Sequence, residues 1–137
     1  MATVVVRSKE NLKQEITAGR HRIISDEPES AGGMDEGPDP YSLLIAALGA
    51  CTSLTLKLYA RQKKWDLQSV TVTLKHEKIH AVDCAECETK EGKVDRIWRE
   101  IQLEGNLTGD QSARLREIAK KCPVHRTLTS EISIIDL

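Results

Sequence analysis

Four cysteines hold most of the chemistry open to this 137-residue sequence: Cys51, Cys84, Cys87 and Cys122. Histidines stand close to three of them. His76 and His80 precede the Cys84-Ala85-Glu86-Cys87 motif, and His125 follows Cys122. A cysteine thiolate attacks peroxides and disulfides and binds metals, whereas the neutral thiol packs as a small hydrophobe. The setting of each cysteine therefore decides its chemistry.

Cys51 lies in YSLLIAALGACTSLTL, a run that is apolar or small on nearly every side. Asp39-Pro40 before it supplies a helix N-cap and a proline suited to the first helical position. The pattern predicts a helix from Pro40 to about Lys64, with Lys57, Arg61, Lys63 and Lys64 near its negative end. A helix apolar all round belongs in a core. Ala46, Ala47, Gly49, Ala50 and Ser53 would let neighbours approach its backbone closely. Helical spacing groups Cys51 with Leu44, Leu48, Thr55 and Leu58. So short a chain has little material to wrap such a helix, so a partner subunit is expected. Cys122 closes a second apolar stripe, after Leu115, Ile118 and Ala119. Thr108-Gly109-Asp110-Gln111 opens that helix with a capping box, and Pro123 interrupts it.

Two thiols on two apolar helix faces could meet in space. Spacing alone favours the plainer reading, in which both are packed core thiols. If they react, a mid-helix Cys51 gains little from the helix dipole. Its thiolate then needs a cation from elsewhere in the chain, with Arg20, Arg22 and Arg7 as candidates. Cys122, at a helix C-terminus, would meet the opposing dipole end, which Lys120, Lys121, His125 and Arg126 could offset. This asymmetry would make Cys51 the attacking thiol and Cys122 the resolving one, passing through a sulfenic acid to a disulfide. His125 could instead simply pack or cap near the helix end.

The remaining elements follow from alternation and turn signals. Thr3 to Arg7, Lys13 to Thr17 and His21 to Ser25 read as short strands, with Ala18-Gly19 as a turn. Residues 26–39 form a loop rich in proline and glycine, where Asp26-Glu27 and Asp35-Glu36 are expected to meet solvent. Val70, Val72 and Leu74 share one strand face, as do Ile97, Ile101 and Leu103. They predict a long antiparallel hairpin whose connection holds Cys84 and Cys87. Glu131 to Ile135 reads as a last strand. The order suggests one α+β domain over residues 1–137.

Within that hairpin, Cys84 and Cys87 supply two ligands where a structural zinc site needs four. His76 and His80 could complete a set, though widely spaced along one strand face. A redox role and an inert exposed pair stand beside the metal reading.

Composition narrows the field further. Lys+Arg total 20 against 21 Asp+Glu, so no basic excess points to nucleic acid. With 39% hydrophobic and 30% charged residues the chain is expected to be globular, and without phenylalanine its core must rely on Leu, Ile, Val and Ala. No signal-peptide pattern opens it, and the apolar run Leu43 to Leu56 falls short of the about 20 residues of a membrane span. A cytoplasmic location without membrane contact is therefore expected. Thiols there are mostly reduced, so structural disulfides are not expected. No nucleotide-binding or nucleophile-elbow motif is present, and no cofactor is expected.

The stretch GRHRIISDEPESAGGMDEGPDPYSLLIAALGACTSLTLKLYARQKKW, with REIAKKCPVHRTL and DCAECE, resembles the OsmC/Ohr family, named for osmotically inducible protein C and organic hydroperoxide resistance protein. The DEP, GG-x-D-x-GP-x-P and LGACT motifs resemble its OsmC-like subgroup. The resemblance covers almost the whole chain. It implies an intertwined α+β homodimer with antiparallel-rich sheets around a long buried central helix that carries the first cysteine. It implies reduction of organic hydroperoxides, and of hydrogen peroxide in some members, without metal or flavin. Cys51 would attack the peroxide, Cys122 would form the disulfide, and a thiol or dithiol would restore the pair. The family glutamate that helps hold an arginine beside the thiol is replaced here by Tyr41, followed by Ser42, and Thr52 stands where phenylalanine is frequent. Arg22 is then the first candidate for the thiolate partner, with Glu27 or Glu36 as its anchor and Arg7 as an alternative. A metal- or redox-sensing module built on Cys84 and Cys87, or a non-catalytic dimer of this fold, are the rival readings.

Overall fold

The computed structural model describes residues 2–137, which form two compact units divided between Leu44 and Ile45. In the N-terminal unit, β1 (Val4–Ser8), β2 (Gln14–Ala18) and β3 (His21–Ser25) make an antiparallel sheet in that order. Gly19 turns β2 into β3 with φ of 61°, a conformation that costs glycine nothing. The first two strands each begin one residue later than alternation suggested.

The loop after β3 is held by a buried carboxylate rather than bathed in solvent. Asp26 is 2% exposed, and its two oxygens accept backbone N–H bonds from Glu27 (2.8 Å), Met34 (3.3 Å) and Glu36 (3.3 Å). Burial works against its charge, but those three donors bring its pKa below the ordinary aspartate value. A short 3-10 turn, Glu29–Ala31, lies inside the loop. The glycines of the motif are spacing devices: a Cβ at Gly33 would sit 2.0 Å from the Glu27 carbonyl oxygen, and one at Gly37 would sit 2.2 Å from that of Ile24. The expectation that Asp26 meets solvent is thus corrected, because the loop folds back over its own first residue.

α1 (Pro40–Lys63) begins as expected, with the Asp39 carboxylate accepting from the Ser42 N–H at 2.9 Å. In the C-terminal unit it packs beside the hairpin of β4 (Asp66–His80) and β5 (Lys93–Asn106) and below α2 (Gly109–Ala119). The core is Leu56 and Ala60 of α1, Leu67, and Leu115, Ile118 and Ala119 of α2, flanked by Val70, Ile101 and Leu103 of the hairpin. It is aliphatic, as the lack of phenylalanine demands, with Tyr59 and Trp65 meeting edge to face at its margin. Gly49 lets the helix settle on β4, since a Cβ there would lie 2.7 Å from Leu74 Cδ1. The capping box of α2 is complete: Thr108 accepts from the Gln111 N–H, and Gln111 accepts from the Thr108 N–H.

Three expectations are corrected. α1 buries only the stripe Leu48, Gly49, Thr52, Leu56 and Ala60, while Leu44, Leu54 and Leu58 are exposed. One hairpin and one helix can cover only one side of it. By length and composition α1 is also long and apolar enough to cross a membrane, because the helix continues well beyond Leu56. Leu56 and Ala60 of its buried stripe are nonetheless committed to the core just described. Residues 131–137 form no strand. Ile134 and Ile135 are largely exposed, because an alternating pattern becomes a strand only where a neighbour supplies ladder hydrogen bonds.

Replacing Leu115, fully buried at the centre of this core, by alanine should cost about 2–5 kcal/mol of unfolding free energy, read from denaturant midpoints. Asp26→Ala should lower thermal stability at neutral pH. A carboxylate with a depressed pKa in the folded state stabilises above its unfolded value, about 3.9, and loses that contribution as pH falls through the folded one. The gap between the wild-type and Asp26→Ala melting temperatures should therefore close in acid.

Candidate active site

The C-terminal unit brings Cys51 and Cys122 together. Cys51 is carried by the middle of α1, at the edge of its buried stripe, and is partly exposed. Cys122 is fully buried. It does not end a helix, as the stripe of α2 suggested. α2 stops at Ala119, and Pro123 takes the first position of a new helix, α3 (Pro123–Leu128). Proline lacks the N–H that would have continued α2, and its fixed φ suits a helix start. Cys122 is therefore the N-cap of α3, its sulfur accepting the His125 backbone N–H at 3.5 Å.

The two thiols are close enough to influence each other's acidity, in opposite directions. Burial disfavours the Cys51 thiolate, yet hydrogen bonds from the Cys122 thiol, the Val124 backbone N–H and the Thr55 hydroxyl bring its pKa below that of an ordinary cysteine. The Thr55 contact measures 4.0 Å. Burial pushes the Cys122 pKa up, and its bond to the Cys51 sulfur pushes it further. The expected division into an acidic and a reluctant thiol thus has a different cause from dipole position. Within this unit hydrogen bonds, and not a cation, favour the Cys51 thiolate.

An arginine does stand nearby, one that sequence reasoning missed. Arg99 of β5 donates to Thr52 Oγ1 at 3.1 Å, and that hydroxyl donates to the Leu48 carbonyl at 2.7 Å. Thr52 is fully buried, so the residue that departs from the resembled pattern is the one that seats Arg99. The signal was available in the alternation of β5, where Arg99 interrupts the apolar face of Ile97 and Ile101. Leu48, Ile97 and Leu128 line a cleft of about 350 Å³ with Arg99, His125, Asp95 and Thr129. Burial, Arg99 and Lys120 all lower the His125 pKa, which favours a neutral imidazole. His76 and Lys78 hold the Asp95 carboxylate, at 2.8 and 2.9 Å.

In the N-terminal unit Arg22 pairs with Glu15, across from Arg7 in the β1–β2 register. Glu36 pairs with Lys13 at 2.9 Å, and among the described residues no ion pair joins Glu27 or Glu36 to an arginine. Cys84 and Cys87 are joined in a disulfide. This corrects both the expectation of reduced thiols and that of an inert exposed pair, since Cys84 is only 2% exposed. Oxidised sulfurs are not zinc ligands, and His76 is engaged by Asp95. Among the described residues no cluster of three or more His, Cys, Asp or Glu side chains is arranged to hold a metal.

Known proteins place this architecture. Solved structures share the fold at low identity. An OsmC-like protein from Mycoplasma pneumoniae matches with a TM-score of 0.73 at 17% identity, over 93% of this chain and 86% of its own. An organic hydroperoxide resistance protein OsmC from Legionella pneumophila matches with 0.67 at 19%, over 94% and 89%. The organic hydroperoxide resistance protein OhrB of Bacillus subtilis matches with 0.63 at 18%, over 94% and 90%. No curated protein matches the sequence. The family model described as OsmC-like protein matches residues 33–135, a span that includes both Cys51 and Cys122, and the chain belongs to that family.

Proposed function

We propose that this chain is a thiol-dependent hydroperoxide reductase, in which Cys51 attacks the peroxide and Cys122 resolves the product. The observation that carries the reading is the pair of facing sulfurs with opposite acidity, the more acidic one also the more accessible. The Cys51 thiolate attacks the terminal oxygen of R–O–OH, and the O–O bond breaks. The alcohol leaves with a proton, and Cys51 becomes a sulfenic acid. The Cys122 thiol then attacks the Cys51 sulfur, expelling water and forming the disulfide. An external dithiol restores both thiols by exchange. Several of the solved structures that share the fold are named as organic hydroperoxide resistance proteins, which supports the substrate class.

The apolar walls of the cleft, Leu48, Ile97 and Leu128, favour organic hydroperoxides over hydrogen peroxide. Arg99 is the cation of the C-terminal unit suited to polarise the peroxide. The exposed apolar face of α1, including Leu54 and Leu58, supports a homodimer, since a monomer would leave it in water. The reading places the enzyme in the cytoplasm, where dithiol reductants are available.

With dithiothreitol as reductant, turnover of cumene hydroperoxide should exceed that of hydrogen peroxide. Cys51→Ser should reduce both to background, while Cys122→Ser treated with peroxide in the absence of thiol should consume about one peroxide per site and leave a sulfenic acid that dimedone traps. Full turnover by Cys51→Ser would end the mechanism. Alkylation of Cys51 by iodoacetamide should rise through an inflection below the ordinary cysteine value of about 8.5. That inflection should move to higher pH in Cys122→Ala, where the thiol donor is lost.

A further inference from the structure

Cys84 and Cys87 take no part in the chemistry proposed above. They lie in the connection between β4 and β5, with Cα atoms 5.4 Å apart and a disulfide between them. We propose that this disulfide is a second, independent thiol–disulfide exchange site, opened by a dithiol that attacks Cys87 and expels Cys84.

A stabilising clip is redundant at this place. The strands below are already paired as far as His80 with Lys93, and the Ala81 N–H donates to the Gly92 carbonyl at 2.8 Å. The connection is further tied by the Cys84 N–H to the Ala81 carbonyl and the Cys87 N–H to the Cys84 carbonyl. A cross-link removes less entropy from the unfolded chain the shorter the loop it closes, and this one closes a very short loop. The tip also has anchors that do not involve sulfur. Glu86 pairs with Arg96 at 3.5 Å, and the Arg96 guanidinium lies 5.5 Å from the Trp98 ring centre. Opening the disulfide would leave those contacts and the hairpin in place.

Accessibility gives the exchange a direction. Cys84 is 2% exposed, against an Ala81 that is fully buried, whereas Cys87 is partly exposed. An incoming thiolate approaches along the line of the sulfur–sulfur bond, so the attacked sulfur must be the one open to solvent. Attack on Cys87 forms a mixed disulfide, breaks the Cys84–Cys87 bond and releases Cys84 as a thiolate that takes up a proton. The second thiol of the reagent then attacks the mixed disulfide at its own sulfur and frees the Cys87 thiol. The dithiol loses two electrons and becomes a disulfide, and the pair gains two electrons and two protons.

Trypsin cutting after Lys78 and Lys90 isolates both cysteines in one peptide, Ile79 to Lys90. The full chain would be equilibrated in mixtures of reduced and oxidised dithiothreitol, its circular dichroism recorded, then quenched with an alkylating reagent in denaturant and digested. The peptide should pass reversibly from cross-linked to doubly alkylated while the far-ultraviolet circular dichroism is unchanged. In a Cys84→Ser chain, Cys87 should capture hydroxyethyl disulfide as a mixed disulfide. In a Cys87→Ser chain, Cys84 should stay unmodified until the protein is unfolded. A peptide that remains cross-linked in excess dithiol until unfolding overturns the proposal, as does capture of the reagent by Cys84 in preference to Cys87. No peroxide enters the measurement, so its failure and that of the peroxidase reading are separate results.

Discussion

The mutual influence of the Cys51 and Cys122 thiols is the interaction on which the chemistry turns. Alone in an apolar setting, each thiol would resist ionisation. Paired, one becomes the donor and the other the acceptor, and their acidities separate. Because the favoured thiolate is held by neutral donors, no buried ion pair has to be desolvated to create it. That economy suits a site built from an apolar helix and a short proline-led turn.

The backbone arrangement behind that contact depends on a break in a helix. Had α2 continued beyond Ala119, Cys122 would have stayed on its stripe with Leu115 and Ile118. Pro123 instead starts α3, so that Cys122 caps it and its sulfur accepts the His125 N–H. On the facing side, Gly49 lets α1 approach β4 closely, and Thr52 ties α1 to Arg99 on β5. Two close contacts along one helix face thus hold the nucleophile's helix against the sheet. The same helix leaves Leu54 and Leu58 in water, so this unit does not cover its own apolar surface.

The motif residues of the N-terminal unit divide differently from their chemical appearance. Acidic residues between two reactive-looking segments invite a catalytic reading, but Asp26 spends its oxygens on three backbone donors, and Gly33 and Gly37 exist to let carbonyls pass. Arg22 and Glu36, read as a possible guanidinium–carboxylate couple, each found a nearer partner across the sheet or its turn.

Local signals were legible in the residues themselves. The Asp39-Pro40 helix start, the Thr108–Gln111 capping box, the Gly19 turn and the long hairpin all depend on contacts between near neighbours, and each forms as read. The family was legible as well, because its motifs occupy those same local devices. What the residues alone left open was every matter of which distant groups meet. The tertiary fold alone brought Arg99 to Thr52, set Cys122 beside Cys51 and left residues 131–137 unpaired. Periodicity reports which face a side chain occupies. It carries no information about which other face will arrive opposite, and hydrogen bonds across that gap are what decide acidity and partnership.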